Sequence, residues 1–321
     1  MATVFAPAVQ PPHSSRILGL GGARPDHAVS SGQLGRPFGK DADWIQTRTG
    51  IRSLDRIHGE NRHTALTELA ERAASSALRA AHLDATQVDL VITASCSTER
   101  ELADAARRTA PAAGWMQLNA ACSGFCYALQ TGDNLIRTGA ATHVLIIAAE
   151  HMSRLLDPDD LGTTIIFGDG AGAAVLGPAG EQSPGIGPAV TGSDGARSEL
   201  IAMSGGVLQM AGREVFRWAV EQVPAIARRA CERAGIRLAD VHVFVPHQAN
   251  LRIIDAVVRA LHLQHAVIAD DISTSGNTSA ASIPLALTRL LDTGRARTGD
   301  LALLAGFGAG LSYAAQVVVL P

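Results

Sequence analysis

Lysine is almost missing from this sequence: Lys40 is the only one, and arginine supplies the rest of the 27 basic residues. Set against 30 acidic residues they leave a formal net charge of -3, so no positive excess marks the chain as a binder of nucleic acid or of a membrane surface. No apolar run approaches the roughly 18 residues that a membrane-spanning helix needs. The opening MATVFAPAVQPPHSSR lacks the basic-then-apolar order of a secretion signal, which makes the cytoplasm the expected compartment. Cysteine is scarce too. Four in 321 residues are expected to be free thiols in a reducing compartment rather than a disulfide framework.

What is present is a 47% hydrophobic chain, long enough for one large core or two fused halves. Its pattern alternates. Residues 64–82 carry helical apolar spacing, VDLVITAS (88–95) reads as a buried strand, GFCYALQTGDNLIRTG as a helix stopped by glycine, and HVLIIAAE as a strand. TTIIFGDGAGAAVLGP reads as two strands joined by a glycine-rich turn. A looser link spans about 178–192. Beyond it come a helix over EVFRWAVEQVPAIARRACERAG, which Pro224 is expected to kink, a strand at VHVFVPHQ, helices at about 249–262 and 279–292, and strands at LALLAGFG and YAAQVVVL. Alternation of this kind predicts α/β layers.

The two parts repeat. ALRAAHLDATQVDLVITA from Ala77 lies over ACERAGIRLADVHVFVPH from Ala230 at an offset of 153, which carries Ala94 onto His247. Aligning Thr138-Gly139 with Thr293-Gly294 gives an offset of 155, which carries Cys122 onto Asn277. Two halves of like topology would present their strand-end loops in equivalent places.

Three such loops hold the candidate chemistry. In LNAACSGFCYAL, Cys122 stands at a helix start, where unpaired N–H groups and the positive dipole end favour a thiolate. A metal site, a disulfide and plain packing are the competing readings of its two cysteines; Cys126, one turn further on, reads as packing. VPHQAN (245–250) sets His247 directly after a strand, and SGNTSAAS (275–282) sets Asn277 in a turn that opens a helix, where capping is the structural alternative. Together they are a thiol, an imidazole and a carboxamide that can converge.

DWIQTRTGIR, CSGF, IFGDGAGAAVLG, VPHQANLRIID, SGNTSAAS and GFGAGLSYAAQVV, collinear within a stretch from about Arg16 to Pro321, resemble the motifs of the β-ketoacyl-acyl-carrier-protein synthase III family of the thiolase superfamily, and also the starter-unit synthases of polyketide pathways. The resemblance implies a five-layered αβαβα thiolase-like fold of two duplicated halves, with a flexible segment 1–15, a nucleophile half 16–185 and a His/Asn half 186–321, usually homodimeric. It implies an acyltransferase of fatty-acid or polyketide biosynthesis. Cys122 would take an acyl primer from a thioester, the N–H groups of Cys122 and Ala309 would hold the oxyanion, and His247 with Asn277 would stabilise the enolate formed when malonyl-acyl carrier protein loses carbon dioxide. Phe307 would line the decarboxylation site. No metal and no redox cofactor is implied.

The same resemblance assigns Trp44 and Arg48 to the adenine end of coenzyme A, and Gly212, Phe216, Ala249 and Asn250 to its pantetheine tunnel. Arg217, Arg252 and Arg259 stand where the family meets the acidic acyl carrier protein. Departures bear on the primer. Leu161 replaces a frequent arginine near the nucleotide, Arg213 replaces a smaller polar residue nearby, and the segments 97–114 and 198–212 are shortened where the family lines its acyl pocket and tunnel mouth. A specialised primer pocket is the expectation. The rival readings are acyl transfer to a hydroxyl or carrier thiol without decarboxylation, a dinucleotide site at GDGAGA (168–173), and a non-catalytic partner subunit.

Overall fold

The computed structural model of the chain describes residues 14–59, 61–180 and 185–321. Its ten principal strands form two five-stranded sheets. In chain order they are β1 Ser15–Ala23, β2 Leu90–Ala94, β3 Gly114–Leu118, β4 Val144–Glu150 and β5 Gly170–Pro178, then β6 Val190–Ser193, β7 Val243–Pro246, β8 Val267–Ile268, β9 Leu301–Phe307 and β10 Ser312–Val319. The first sheet runs β1-β5-β4-β2-β3 and the second β6-β10-β9-β7-β8. Adding five to each label of the first gives the second. The pairing senses repeat as well: antiparallel, antiparallel, parallel, parallel across each sheet.

Helices cover both faces of each sheet, in five layers. The outer pair on the first sheet is α1 (Arg62–Ala80) and α2 (Arg100–Thr109); Leu66, Ala70, Ala73 and Ala77 recur at helical spacing and pack on Leu145, Ile147 and Val175. Between the sheets lie α3 (Gly124–Arg137) and α6 (Ser282–Asp292), whose Phe125, Leu129, Ile283 and Leu287 share one core with β4 and β9. On the far side α4 (Gly212–Ala234) and α5 (Leu251–Leu261) bury Trp218, Ile254 and Val257 against Phe244 and Leu303. β4, VLIIAAE, is covered on both faces and all seven of its residues are buried, apolar up to the terminal Glu150. Among the described residues no helix is long and apolar enough to cross a membrane.

Several local expectations are corrected. TTIIFG is no strand: Leu161–Thr164 is a helical turn, Asp160 capping it through Gly162 N and Thr163 N, and Phe167 makes only an isolated bridge to Asn277. The link to 192 ends in β6, an edge strand of the second sheet. Of the expected flexible segment 1–15, residues 1–13 lie outside the described residues, and Ser15 already opens β1, buried, with its hydroxyl on Asp133. The glycine run 168–173 enters strand β5 and opens no helix, so the dinucleotide fingerprint has no structural basis.

The repeat also needs a different register at its most informative point. The turns Ala121–Ser123 and Ser279–Ala281 each begin with a residue at positive φ, 46° and 47°, and lead into α3 and α6. That equivalence is an offset of 158: Cys122 matches Ala280, and Asn277 matches Asn119. The two asparagines make the same turn, Asn119 Oδ1 accepting from Ala121 N at 3.2 Å and Asn277 Oδ1 from Ser279 N at 2.9 Å. α3 has 14 residues and α6 has 11, so an alignment anchored at their C-terminal ends slips by three at their starts.

Candidate active site

A cavity of about 700 Å³ lies where the carboxyl ends of parallel strands from both sheets meet. Cys122 follows β3, His247 follows β7, Phe307 ends β9, with Gly308 and Ala309 next, and Cys96 follows β2; Asn277 comes from the loop beyond β8. All seven line this one cavity.

Cys122 occupies the tight turn before α3 and is buried. The positive φ of Ala121, which costs about 1–2 kcal/mol for a residue with a Cβ, turns the chain sharply at the nucleophile. Gly308 allows the opposite wall to close on it: a Cβ there would lie 2.7 Å from Cys122 Cβ and 3.0 Å from Sγ. The N–H groups of Cys122 and Ala309 and the Ser279 hydroxyl all act to lower the Cys122 pKa. They favour a thiolate, but burial outweighs them, and with the nearby Glu150 charge the thiol is pushed up to about 12. The helix start therefore does not leave a resting thiolate, contrary to the expectation from sequence. Cys126 packs in the core between the sheets, and all four cysteines are free.

His247 Nδ1 lies 2.7 Å from Ser282 Oγ, leaving Nε2 for the cavity, and Phe307 meets the ring edge-on at 5.3 Å. Burial drives the imidazole pKa down to about 3, so the ring is neutral. Asn277 is buried, with its Oδ1 occupied by Ser279 N; the amide Nδ2 is the free donor. Cys122 thus shares its cavity with two neutral N–H donors, each fixed by a bond to its other polar atom.

The mouth is built from the helix Ala42–Thr49, α4 and α5. Arg48 stacks on the Trp44 ring at 4.0 Å, with Lys40 at 5.1 Å from the same ring. Gly212, Arg213, Phe216, Ala249, Asn250 and Arg252 line the same cavity, and Arg252 lies over Phe216 at 5.7 Å. The Asn250 side chain is already engaged, capping α5 through Arg252 N and donating to Arg48 O. Arg217 and Arg259 stand outside the cavity, exposed on α4 and α5. Leu161 does not line it, though Gly162 does. Segment 97–114 contributes no lining residue: it forms α2, packed on α1. The inner wall is instead Cys96, Met152 and Phe167, with Ile201, Leu208 and Met210 from the hairpin Ile201–Met210, inside the shortened 198–212.

Sequence reading passed over Cys96, Ser279, Ser282 and Glu150. Two of them were in view inside SGNTSAAS, but only the folded chain shows that Ser279 Oγ lies 3.3 Å from Cys96 Sγ and Ser282 Oγ 2.7 Å from the imidazole.

Residues 116–195 match the family described as 3-Oxoacyl-[acyl-carrier-protein (ACP)] synthase III, and residues 231–320 match its C-terminal counterpart. The chain is similar to a β-ketoacyl-[acyl-carrier-protein] synthase III of Streptomyces glaucescens, 41% identical over 98% of each chain, and to one of Mycobacteroides abscessus, 42% identical over 95% of this chain and 94% of that one. Among solved structures it resembles the priming β-ketosynthase of the R1128 polyketide biosynthetic pathway, with a TM-score of 0.93 and 40% identity over 99% of both chains. The synthase III of Pseudomonas aeruginosa follows with a TM-score of 0.88 and 36% identity, over 96% of this chain and 98% of that one.

Proposed function

The chain belongs to the 3-oxoacyl-acyl-carrier-protein synthase III family, and we propose that it joins an acyl primer held on Cys122 to a malonyl group carried by acyl carrier protein. Cys122 sulfur attacks the primer thioester, the N–H groups of Cys122 and Ala309 hold the oxyanion, and the donor thiol leaves with the proton. The malonyl thioester then loses carbon dioxide. His247 Nε2–H and Asn277 Nδ2 donate to its carbonyl oxygen as that becomes enolate, the carbanion attacks the acyl-Cys122 carbonyl, and the carbon–sulfur bond breaks to release the Cys122 thiolate, which takes up a proton, and a β-ketoacyl carrier protein. None of these steps calls on a metal or redox cofactor.

One observation carries this reading: the thiol shares its cavity with two donors whose other polar atoms are already bonded. Neutral, pre-oriented N–H groups suit a developing enolate, whereas simple acyl transfer to a hydroxyl would need a base. Trp44 and Arg48 at the mouth support a coenzyme A primer, with Phe216, Gly212, Ala249 and Asn250 along the pantetheine path. Exposed Arg217, Arg252 and Arg259 support docking of the acidic carrier protein. The apolar inner wall of Cys96, Met152, Phe167, Ile201, Leu208 and Met210 supports an uncharged primer of a polyketide or related pathway. Four free cysteines support the cytoplasm as the place of action, and a homodimer belongs to the same proposal. The test is to incubate the protein with a panel of acyl-coenzyme A and acyl carrier protein thioesters, then malonyl carrier protein. An acyl adduct lost in Cys122→Ala, followed by carbon dioxide release, is expected. An adduct discharged to a hydroxyl without carbon dioxide would replace this reading.

A further inference from the structure

The two N–H groups assigned to the oxyanion come from opposite halves of the chain, Cys122 N from the turn 120–123 and Ala309 N from the turn 309–312. Each turn is closed in the same way. Ser123 N donates to the Ala120 carbonyl at 3.1 Å, and Ser312 N donates to the Ala309 carbonyl. The serine at the fourth position of each turn then adds its hydroxyl to the same carbonyl, Ser123 Oγ to Ala120 O at 2.6 Å and Ser312 Oγ to Ala309 O at 3.1 Å. The two turns also meet. Ser312 Oγ lies 3.1 Å from Ala120 O and 3.0 Å from Ser123 Oγ, so its one hydrogen is held between the two turns. Ser123 is fully buried, and the two serines are 189 positions apart in sequence. Nothing in the reaction above uses either hydroxyl.

We propose that Ser123 and Ser312 are positioning residues that set the separation of the Cys122 and Ala309 N–H groups. An oxyanion hole works only where its donors already stand about 2.7–3.1 Å from the place that the charged oxygen will occupy. Backbone bonds fix each donor within its own turn, but the distance from one turn to the other is left to contacts between the halves. Gly308 permits a close approach, since a Cβ there would lie 2.7 Å from Cys122 N. The serine pair sets its limit: at 3.0 and 3.1 Å the oxygens are in hydrogen-bond contact and can neither close further nor part without losing the hydrogen between them. Among the described residues no other side-chain hydrogen bond joins these two turns. Removing a hydroxyl therefore leaves both turns closed by their backbone bonds while the joint between them loosens. The inference rests on Cys122 as the acceptor of an acyl group and leaves the identity of the primer aside.

Two reactions at the same sulfur separate donor spacing from fold. Loading from an acyl-coenzyme A (acetyl, butyryl or hexanoyl, whichever the wild type takes fastest) passes through a tetrahedral oxyanion and needs both donors. Alkylation by iodoacetamide displaces iodide at a saturated carbon and needs neither. Both are followed by intact mass on the full chain. Ser312→Ala is expected to load at least about tenfold more slowly than wild type, with half-saturation by the thioester and the alkylation rate each moved less than about twofold. Ser312→Thr keeps the hydroxyl and restores loading. Ser123→Ala repeats the loss, and the double variant loses no more than either single one, as two halves of one joint require. Unchanged loading in both alanine variants overturns the proposal. So does a parallel fall in alkylation, which would mean a displaced nucleophile rather than a loosened oxyanion hole. Should Ser312→Ala fail to fold, Ser123→Ala decides by the same two rates. Wild-type protein that alkylates yet takes no acyl group from any thioester would sink the condensing function and this pairing with it, whereas a wild type that loads beside unimpaired variants sinks the pairing alone.

Discussion

Ser282 Oγ lies 2.7 Å from His247 Nδ1 and 3.4 Å from the main-chain nitrogen of Gln248. The serine oxygen takes the Gln248 hydrogen and turns its own toward the imidazole, so the tautomer with hydrogen on Nε2 faces the cavity. Removing the hydroxyl in Ser282→Ala frees the ring to take either tautomer. Malonyl decarboxylation is expected to fall about tenfold, while loading of Cys122, read by intact mass, changes less. The lost buried hydrogen bond costs about 1 kcal/mol in urea unfolding.

Asn277→Asp separates the two duties of that side chain. A carboxylate keeps the acceptor that Ser279 N requires, so the turn survives, but the Nδ2 donor becomes an oxygen. Carbon dioxide release should drop by about 10²–10³-fold, the usual cost of one oxyanion donor, with the thermal melt little moved. An unimpaired rate would remove Asn277 from the decarboxylation site.

Neutral His247 sets a pH dependence of stability. Its folded pKa of about 3 lies below the unfolded value of 6.5, so as pH falls below 6.5 the unfolded chain binds a proton that the folded one refuses. Stability therefore declines from pH 6.5 toward 3, by up to about 1.4 kcal/mol per unit from this group. Asp55 acts oppositely: its folded pKa is held up near 6 by burial, so it favours the fold at acid pH, a contribution lost as pH rises through 6. The His247 share is therefore read as the difference in melting profile between wild type and His247→Gln, which should narrow as pH falls. Decarboxylation itself shows no His247 inflection between pH 5 and 8.

Gly308→Ala pushes a methyl to within 2.7 Å of Cys122 Cβ and backbone nitrogen, an approach that neither side can relieve by a side-chain rotation. We expect a loss of about 1–3 kcal/mol in stability, as for an overpacked core, and a greater than tenfold loss in acyl loading. An active, stable Gly308→Ala would show that the two walls do not need to meet.

Trp44→Ala removes the ring on which Arg48 stacks. If that surface receives the adenine of coenzyme A, KM for acyl-coenzyme A primers rises about five- to tenfold, from roughly 1 kcal/mol of lost stacking. KM for primers on acyl carrier protein stays put. Equal effects on both would place the coenzyme A nucleotide elsewhere.

Local chemistry was legible along the chain wherever one residue's neighbours in sequence are also its neighbours in space. The apolar run HVLIIAAE had to be a strand buried on both faces, and Cys122, His247 and Asn277 each sit in a strand-end or helix-start motif visible in a few letters. The duplication was legible too, because helix, loop and strand recur without a gap. Its register at the active site was not: a three-residue difference in length between α3 and α6 hides inside two helices whose C-terminal ends look alike. The TTIIFG segment misled because its apolar content suits a strand, while capping by Asp160 makes it a helical turn. Above all, sequence could not show that Ser279 and Cys96, 183 positions apart, meet behind the nucleophile, or that Ser282 chooses the tautomer of His247. Those relations are set by which strand lies beside which, and by the burial that results. Burial in turn decided the state of the thiol: a helix start alone favours a thiolate, but enclosed beside a carboxylate Cys122 keeps its proton until something takes it.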